Sequence, residues 1–181
     1  MKIDDLYKYL NNLDYKLMYN RNNFNVYMNE NNNIYYIDDL TNLNTNKLIN
    51  HFKDNDQLIK THKSILLIQN HHNDYKYIKL KTNTPYIDYP ILDLFIHTKM
   101  IKYNKKYYLY STLKNIPFKI KENQCLEFVT YIENGTILFV LDDFINLTKI
   151  KIFLINFELN VNLTNIFIKN LVYFLKELKN V

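Results

Sequence analysis

One glycine in 181 residues is the feature that most narrows what this chain can fold into. Without glycine, a loop cannot bring bare backbone against a phosphate, and tight turns must find another residue for left-handed backbone. The one glycine, Gly135, follows Asn134 and separates the runs CLEFVTYI and TILFVLDDF. Asn-Gly between apolar runs is the strongest short-range hairpin signal, because both central residues of a type I′ turn need positive φ. A two-residue loop there predicts Ile132 opposite Ile137, Thr130 opposite Phe139 and Phe128 opposite Leu141. Both faces of that hairpin are apolar, so it is expected at the centre of a covered sheet. Residues 151–161 alternate and read as the third strand of the same sheet. Residues 163–179 carry Leu163, Phe167, Leu171, Phe174, Leu175 and Leu178 at helical spacing.

Asparagine, present 29 times, takes the punctuating role that glycine usually has. Asn clusters near 11–12, 20–23, 29–33 and 42–46 divide the N-terminal part into short pieces. Asp4 and Asp5 suit the first turn of a helix with Leu6, Tyr7, Leu10 and Leu13 on one face. Three β-like runs follow at 15–19, 24–28 and 34–38. Residues 46–53 read as a helix capped by Asn44 or Thr45. Strands are expected at 64–69 and 75–81, around a loop at 70–74. Pro90 suits the first position of a helix running to about residue 100, with Ile91, Leu94, Phe95 and Thr98 on one side. A strand pair at 101–103 and 107–113 comes next. Hairpins outnumber any βαβ pattern, which predicts an α+β fold. Its mostly antiparallel sheet would hold a central Asn-Gly hairpin, packed by the C-terminal helix and two or three shorter helices. The length favours a single compact domain over 1–181, with 1–60 as the one segment that could form an Asn-rich subdomain.

The scarcity of Gly, Ala and Arg against the abundance of Asn, Lys, Ile and Tyr is the signature of an AT-rich genome. The net charge of +5 therefore says little by itself, since lysine is what such a genome supplies. A single Arg21 against 22 lysines argues against bidentate phosphate or guanine recognition. Cys125 is alone, which excludes an intrachain disulfide and a multi-cysteine zinc site. It fits a reducing, cytoplasmic location. The N-terminus lacks an apolar signal core, and no apolar run reaches the roughly 20 residues of a membrane span.

The catalytic motifs that can be read from sequence are missing. There is no phosphate-binding glycine loop and no nucleophile elbow, and neither Ser64 nor Ser111 sits in a supporting motif. His62-Lys63-Ser64 is half of a two-histidine phosphoesterase pattern whose second half is absent. His71-His72-Asn73-Asp74 reads as a solvated turn rather than a metal site. Glu127 would fall opposite Asp142 in the hairpin, near Asp143, and like charges facing across a ladder need a lysine, a metal or a splayed end. The last distinctive stretch is 99–121, with seven lysines and no acid. Lys99, Lys102, Lys105, Lys106 and Lys114 alternate there with Tyr103, Tyr107 and Tyr108. Lysines that track phosphates beside rings that stack bases are how single-stranded RNA is held.

The balance is against an enzyme, and no catalytic residue, metal or cofactor is assigned. The expectation is a non-catalytic binding protein, a small accessory factor docked on a protein or ribonucleoprotein assembly, with no membrane partner. The alternatives are an RNA-binding or ribosome-associated factor using the eight Lys and Tyr residues named above, and a metal-dependent hydrolase or nuclease using Glu127, Asp142 and Asp143.

Overall fold

Asparagine does turn this chain. Among the described residues the backbone is left-handed at Asn33 (φ 48°), Asn73 (59°), Asp74 (61°), Asn104 (47°), Lys105 (64°), Asn146 (60°) and Asn156 (53°). Short Asn and Asp side chains bond their own backbone neighbours and tolerate this region. Lys105 is the exception, at the tip of a two-residue turn. The computed structural model describes residues 2–21, 24–81, 91–114, 129–132, 134–144, 146–157 and 161–180.

The elements run α1 (Ile3–Asn11), β1 (Lys16–Arg21), β2 (Phe24–Asn29), β3 (Ile34–Thr41), α2 (Thr45–Lys53), α3 (Asn55–Thr61), β4 (Ile65–Asn70) and β5 (Tyr75–Lys81). They continue as β6 (Ile91–Tyr103), β7 (Lys106–Leu113), β8 (Val129–Ile132), β9 (Gly135–Phe144), β10 (Leu147–Ile155) and α4 (Val161–Leu178). The strand order is β1-β2-β3-β10-β9-β7-β6-β5-β4, with β8 beside β6. This is a mixed α+β fold with a large antiparallel sheet and few helices. The described residues divide between two compact units.

The first unit takes Met1–Asn50, Thr98–Ser111 and Thr136–Phe157. Its register sets two faces. Phe153 lies opposite Leu138 on β9 and Tyr36 on β3. This face and α1 enclose Leu10, Ile34, Tyr108, Leu138, Val140 and Phe153. Full burial of a leucine such as Leu10 contributes about 2 kcal/mol. Tyr7 meets Tyr108 and Phe153 edge-on, with ring centroids 5.9 and 6.3 Å apart. The Tyr108 hydroxyl donates to Asp4 Oδ1 at 3.0 Å, tying α1 to β7. On the opposite face Ile152 lies opposite Ile37 and Phe139, and Ile150 opposite Leu141. Ile37, Leu141, Ile150 and Ile152 are all buried.

The second unit takes His51–His97, Thr112–Gly135 and Glu158–Val181. β5 pairs antiparallel with β4 and β6, placing Tyr77 opposite Phe95. Asp54 caps α3 by accepting from the Gln57 amide at 3.0 Å. α4 buries Phe167, Ile168, Val172, Leu175 and Leu178, a helical stripe.

Three expectations are corrected. Residues 91–100 are strand, not helix. Ile91 through Phe95 are all buried, and a continuous buried run suits a strand covered on both faces. The Asn-Gly hairpin is not confirmed among the described residues, and Phe128, expected opposite Leu141, lies outside them. β8 runs parallel to β6, Ile91 beside Val129 through Leu94 beside Ile132. β9 already has β10 on one edge and β7 on the other, so neither edge is left for β8. Gly135, at φ 135°, starts β9 rather than closing a turn onto β8. Finally, the strand expected at 151–161 spans Leu147–Ile155, and α4 begins at Val161. It does lie next to β9, as expected.

Candidate functional site

Buried polar groups are costly unless partnered, so those inside the second unit mark where a site could sit. Asp93 falls in the middle of the apolar run of β6 and is wholly buried. Its Oδ2 accepts from the Tyr77 hydroxyl at 2.7 Å. Among the described residues its Oδ1 has no partner. The antiparallel register puts Lys79 opposite Asp93 and Phe95 opposite Tyr77, so acid, phenol and ring share one face. Burial raises the carboxyl above the ordinary Asp value, against the opposing pull of the Tyr77 hydrogen bond and the Lys79 charge. Among the described residues the arrangement is one satisfied and one open carboxylate oxygen, buried on a strand and opposite Lys79.

A second buried cluster links α2, the end of α3 and α4. His51 and His62 bring their Nε2 atoms to 2.9 Å, and both rings are buried. His62 Nδ1 lies 3.3 Å from Glu177 Oε2, and the Lys63 amide donates to Glu177 Oε1 at 3.3 Å. The His62 ring stacks on Phe174 at 4.0 Å. Burial, and secondarily the His51 charge, pushes His62 down to about 4, so at neutral pH its contact with Glu177 is a hydrogen bond rather than an ion pair.

The residues expected to bind RNA are placed unevenly. Lys99, Lys102, Tyr103 and Lys105 are exposed on the β6–β7 hairpin of the first unit, and Lys114 is exposed in the second. Lys102 sits 5.0 Å over the Tyr107 ring. Lys106 is paired with Asp142. Tyr108 is 0% exposed and packs inward against α1, so it presents no ring to stack on a base. Lys119 and Lys121 lie outside the described residues, as does Glu127. Of the carboxylates weighed for a metal, Asp142 holds Lys106 and faces Lys149 across the ladder, while Asp143 accepts from the Thr45 hydroxyl. His71 packs edge-on to Phe95 at the turn before β5. No cluster of three or more metal-ligating side chains occurs among the described residues.

Sequence reasoning missed Asp93 and Glu177. A lone acid inside an apolar six-residue run was the available signal for Asp93. His62 was weighed only as half of a catalytic motif, and nothing in the sequence joins it to residue 177.

No family model and no curated protein matches this sequence. Solved structures do match its fold. Human StAR-related lipid transfer protein 5 aligns over 98% of this chain and 90% of its own, at a TM-score of 0.72 and 10% identity. Human STARD10 aligns over 98% and 79%, at 0.64 and 11%. A StAR-related lipid transfer protein fragment from Xanthomonas axonopodis aligns over 77% and 80%, at 0.59 and 9%. At such identities the likeness is one of fold. It overturns the expectation of an accessory factor on a protein or ribonucleoprotein assembly, and with it the RNA-binding alternative. No helix among the described residues is long and apolar enough to cross a membrane.

Proposed function

We propose that this chain binds a lipid or a comparably apolar small molecule. The observation that carries the reading is the fold match to human StAR-related lipid transfer protein 5 across 98% of the chain. Asp93 supports it. A buried carboxylate with an open oxygen suits a ligand that is apolar over most of its surface and ends in one donor, a hydroxyl or an amine. Tyr77 holds the carboxylate in place through Oδ2 and leaves Oδ1 to the ligand. The single cysteine accords with action in a reducing compartment.

The test is to strip the protein of lipid, incubate it with vesicles of mixed phospholipid and sterol, re-isolate it and identify retained lipids by mass spectrometry. Retention of about one lipid per chain, in donor-bearing species, is the expected result. Protein recovered empty from every vesicle composition would overturn the proposal. Asp93→Leu should lower affinity about tenfold for a donor-bearing lipid, the worth of one buried hydrogen bond to a charged group.

A further inference from the structure

We infer that His51, His62 and Glu177 form an acid-released latch that pins the C-terminal end of α4 to α2 and to the end of α3. The contacts all lie within the second unit, and the inference does not depend on what the protein binds.

Proton accounting drives the argument. At neutral pH one arrangement satisfies every atom of the chain of contacts. His62 Nδ1–H donates to the Glu177 carboxylate, and His51 Nε2–H donates to His62 Nε2. The Gln57 side chain also bonds the His51 ring. One added proton can sit on His51, where Asp54 lies near enough to favour it and a turned Gln57 amide can present its oxygen. Within the histidine pair, a second proton has only His62 Nε2 left. Two N–H groups would then face each other across 2.9 Å, and the contact must break. Parting the rings removes His62 from its stack on Phe174 and from its contact with Glu177 Oε2.

The groups around the cluster do not cancel this effect. α2 contributes His51 and the exposed Lys53, and the α3 cap contributes Asp54. Past the end of α3, Lys63 acts on Glu177, lowering a carboxyl that burial raises. α4 contributes Glu177 alone to the cluster. Among the described residues Asp54 acts on His51, while on His62 the influences are burial and the His51 charge, both of which oppose its protonation.

The experiment follows the intact chain by NMR and by hydrogen exchange at about pH 7.5 and about pH 5, corrected for intrinsic exchange. In the wild type, His62 should titrate well below an ordinary histidine. Amides of the last turns of α4 should open up to about thirtyfold more readily at the lower pH, the shift implied when the open form alone gains the proton. His62→Phe keeps a ring against Phe174 and removes the proton site, and should abolish that pH step. Glu177→Gln keeps an acceptor and should retain it. An ordinary His62 titration in the wild type would overturn the latch, a result that needs no variant to fold. So would acid loosening of equal size in His62→Phe.

Discussion

At the scale of single residues, this protein is governed by how polar groups are placed in apolar surroundings, and the consequences can be read as pH dependence. Burial lowers His62 to about 4, below the ordinary histidine value. Between about 6.5 and 4 the unfolded chain takes up the proton more readily, so stability rises with pH across that window and is lost as pH falls. Burial raises Asp93 and Glu177 instead. For a raised carboxyl the folded state holds the proton more tightly, so its contribution is present at low pH and is lost as pH rises through the shifted value. Asp93→Asn should therefore be more stable than wild type near about pH 8, with the advantage shrinking toward about pH 4. Urea unfolding at the two pH values checks this, and an equal difference at both would show that ionisation of Asp93 is not what the fold resists. Lys105 offers an independent case. A lysine at φ 64° crowds its Cβ against the backbone, and its side chain is exposed. Lys105→Gly should raise stability by about 0.5–1 kcal/mol, less whatever glycine gains as unfolded entropy. A thermal melt showing loss instead would mean that the side chain holds the hairpin by a contact outweighing the strain.

At the scale of elements, legibility tracked whether the signal was local. α1, β1, β2, β3, β4, β5, β7 and α4 were readable within a few residues, because Asn turns bounded them and periodicity named them. α2 was readable with its cap, since Asn44 Oδ1 accepts from the Lys47 amide at 2.8 Å. β6 was misread because Ile91, Leu94, Phe95 and Thr98 fit a helix as well as a strand. Pairing with the neighbouring β5, β7 and β8 decides between them, and none of those strands lies within the run itself. The Asn-Gly hairpin failed for a related reason. A turn signal says that two runs can pair, while pairing is settled by which strand edges are already filled. The proposed site was the least legible part, since Tyr77 meets Asp93 through strand pairing and His62 meets Glu177 across 115 positions. α4 was expected to bury Leu171, yet Leu171 is half-buried while Leu175 is 1% exposed. Leu175→Ala should accordingly cost about 2–5 kcal/mol and Leu171→Ala markedly less. Chemical denaturation of both variants ranks them, and the reverse order would contradict the burial seen along α4.

At the scale of the whole molecule, the informative fact is that about one residue in ten is shared with structures matching 98% of the chain. A sheet face requires apolar side chains in register, and Ile, Leu, Val and Phe exchange there with little penalty if volume is kept. An AT-rich gene can therefore replace Ala, Gly and Arg with Ile, Asn and Lys, provided turns pass to Asn and the register survives. In this chain Phe153 lies in register with Leu138 and Tyr36, and Asn fills most of the left-handed turns. The same fold is thus compatible with very different sequences, while in the proposed reading ligand identity would rest on a few polar positions such as Asp93. This separation yields the last prediction. A lipid that binds the folded chain stabilises it by mass action, about 2.7 kcal/mol at a hundredfold excess over Kd. For a chain of this length that corresponds to a Tm rise of about 5–10 °C. Thermal melts against a panel of apolar compounds with and without a terminal hydroxyl or amine should show the rise only for donor-bearing members. Asp93→Leu should then flatten the distinction between donor-bearing and donor-free compounds while keeping some response to both. A panel that shifts Tm equally in wild type, donor or none, would leave apolar binding standing and remove Asp93 from it. A panel that shifts nothing would count against the ligand-binding reading as a whole.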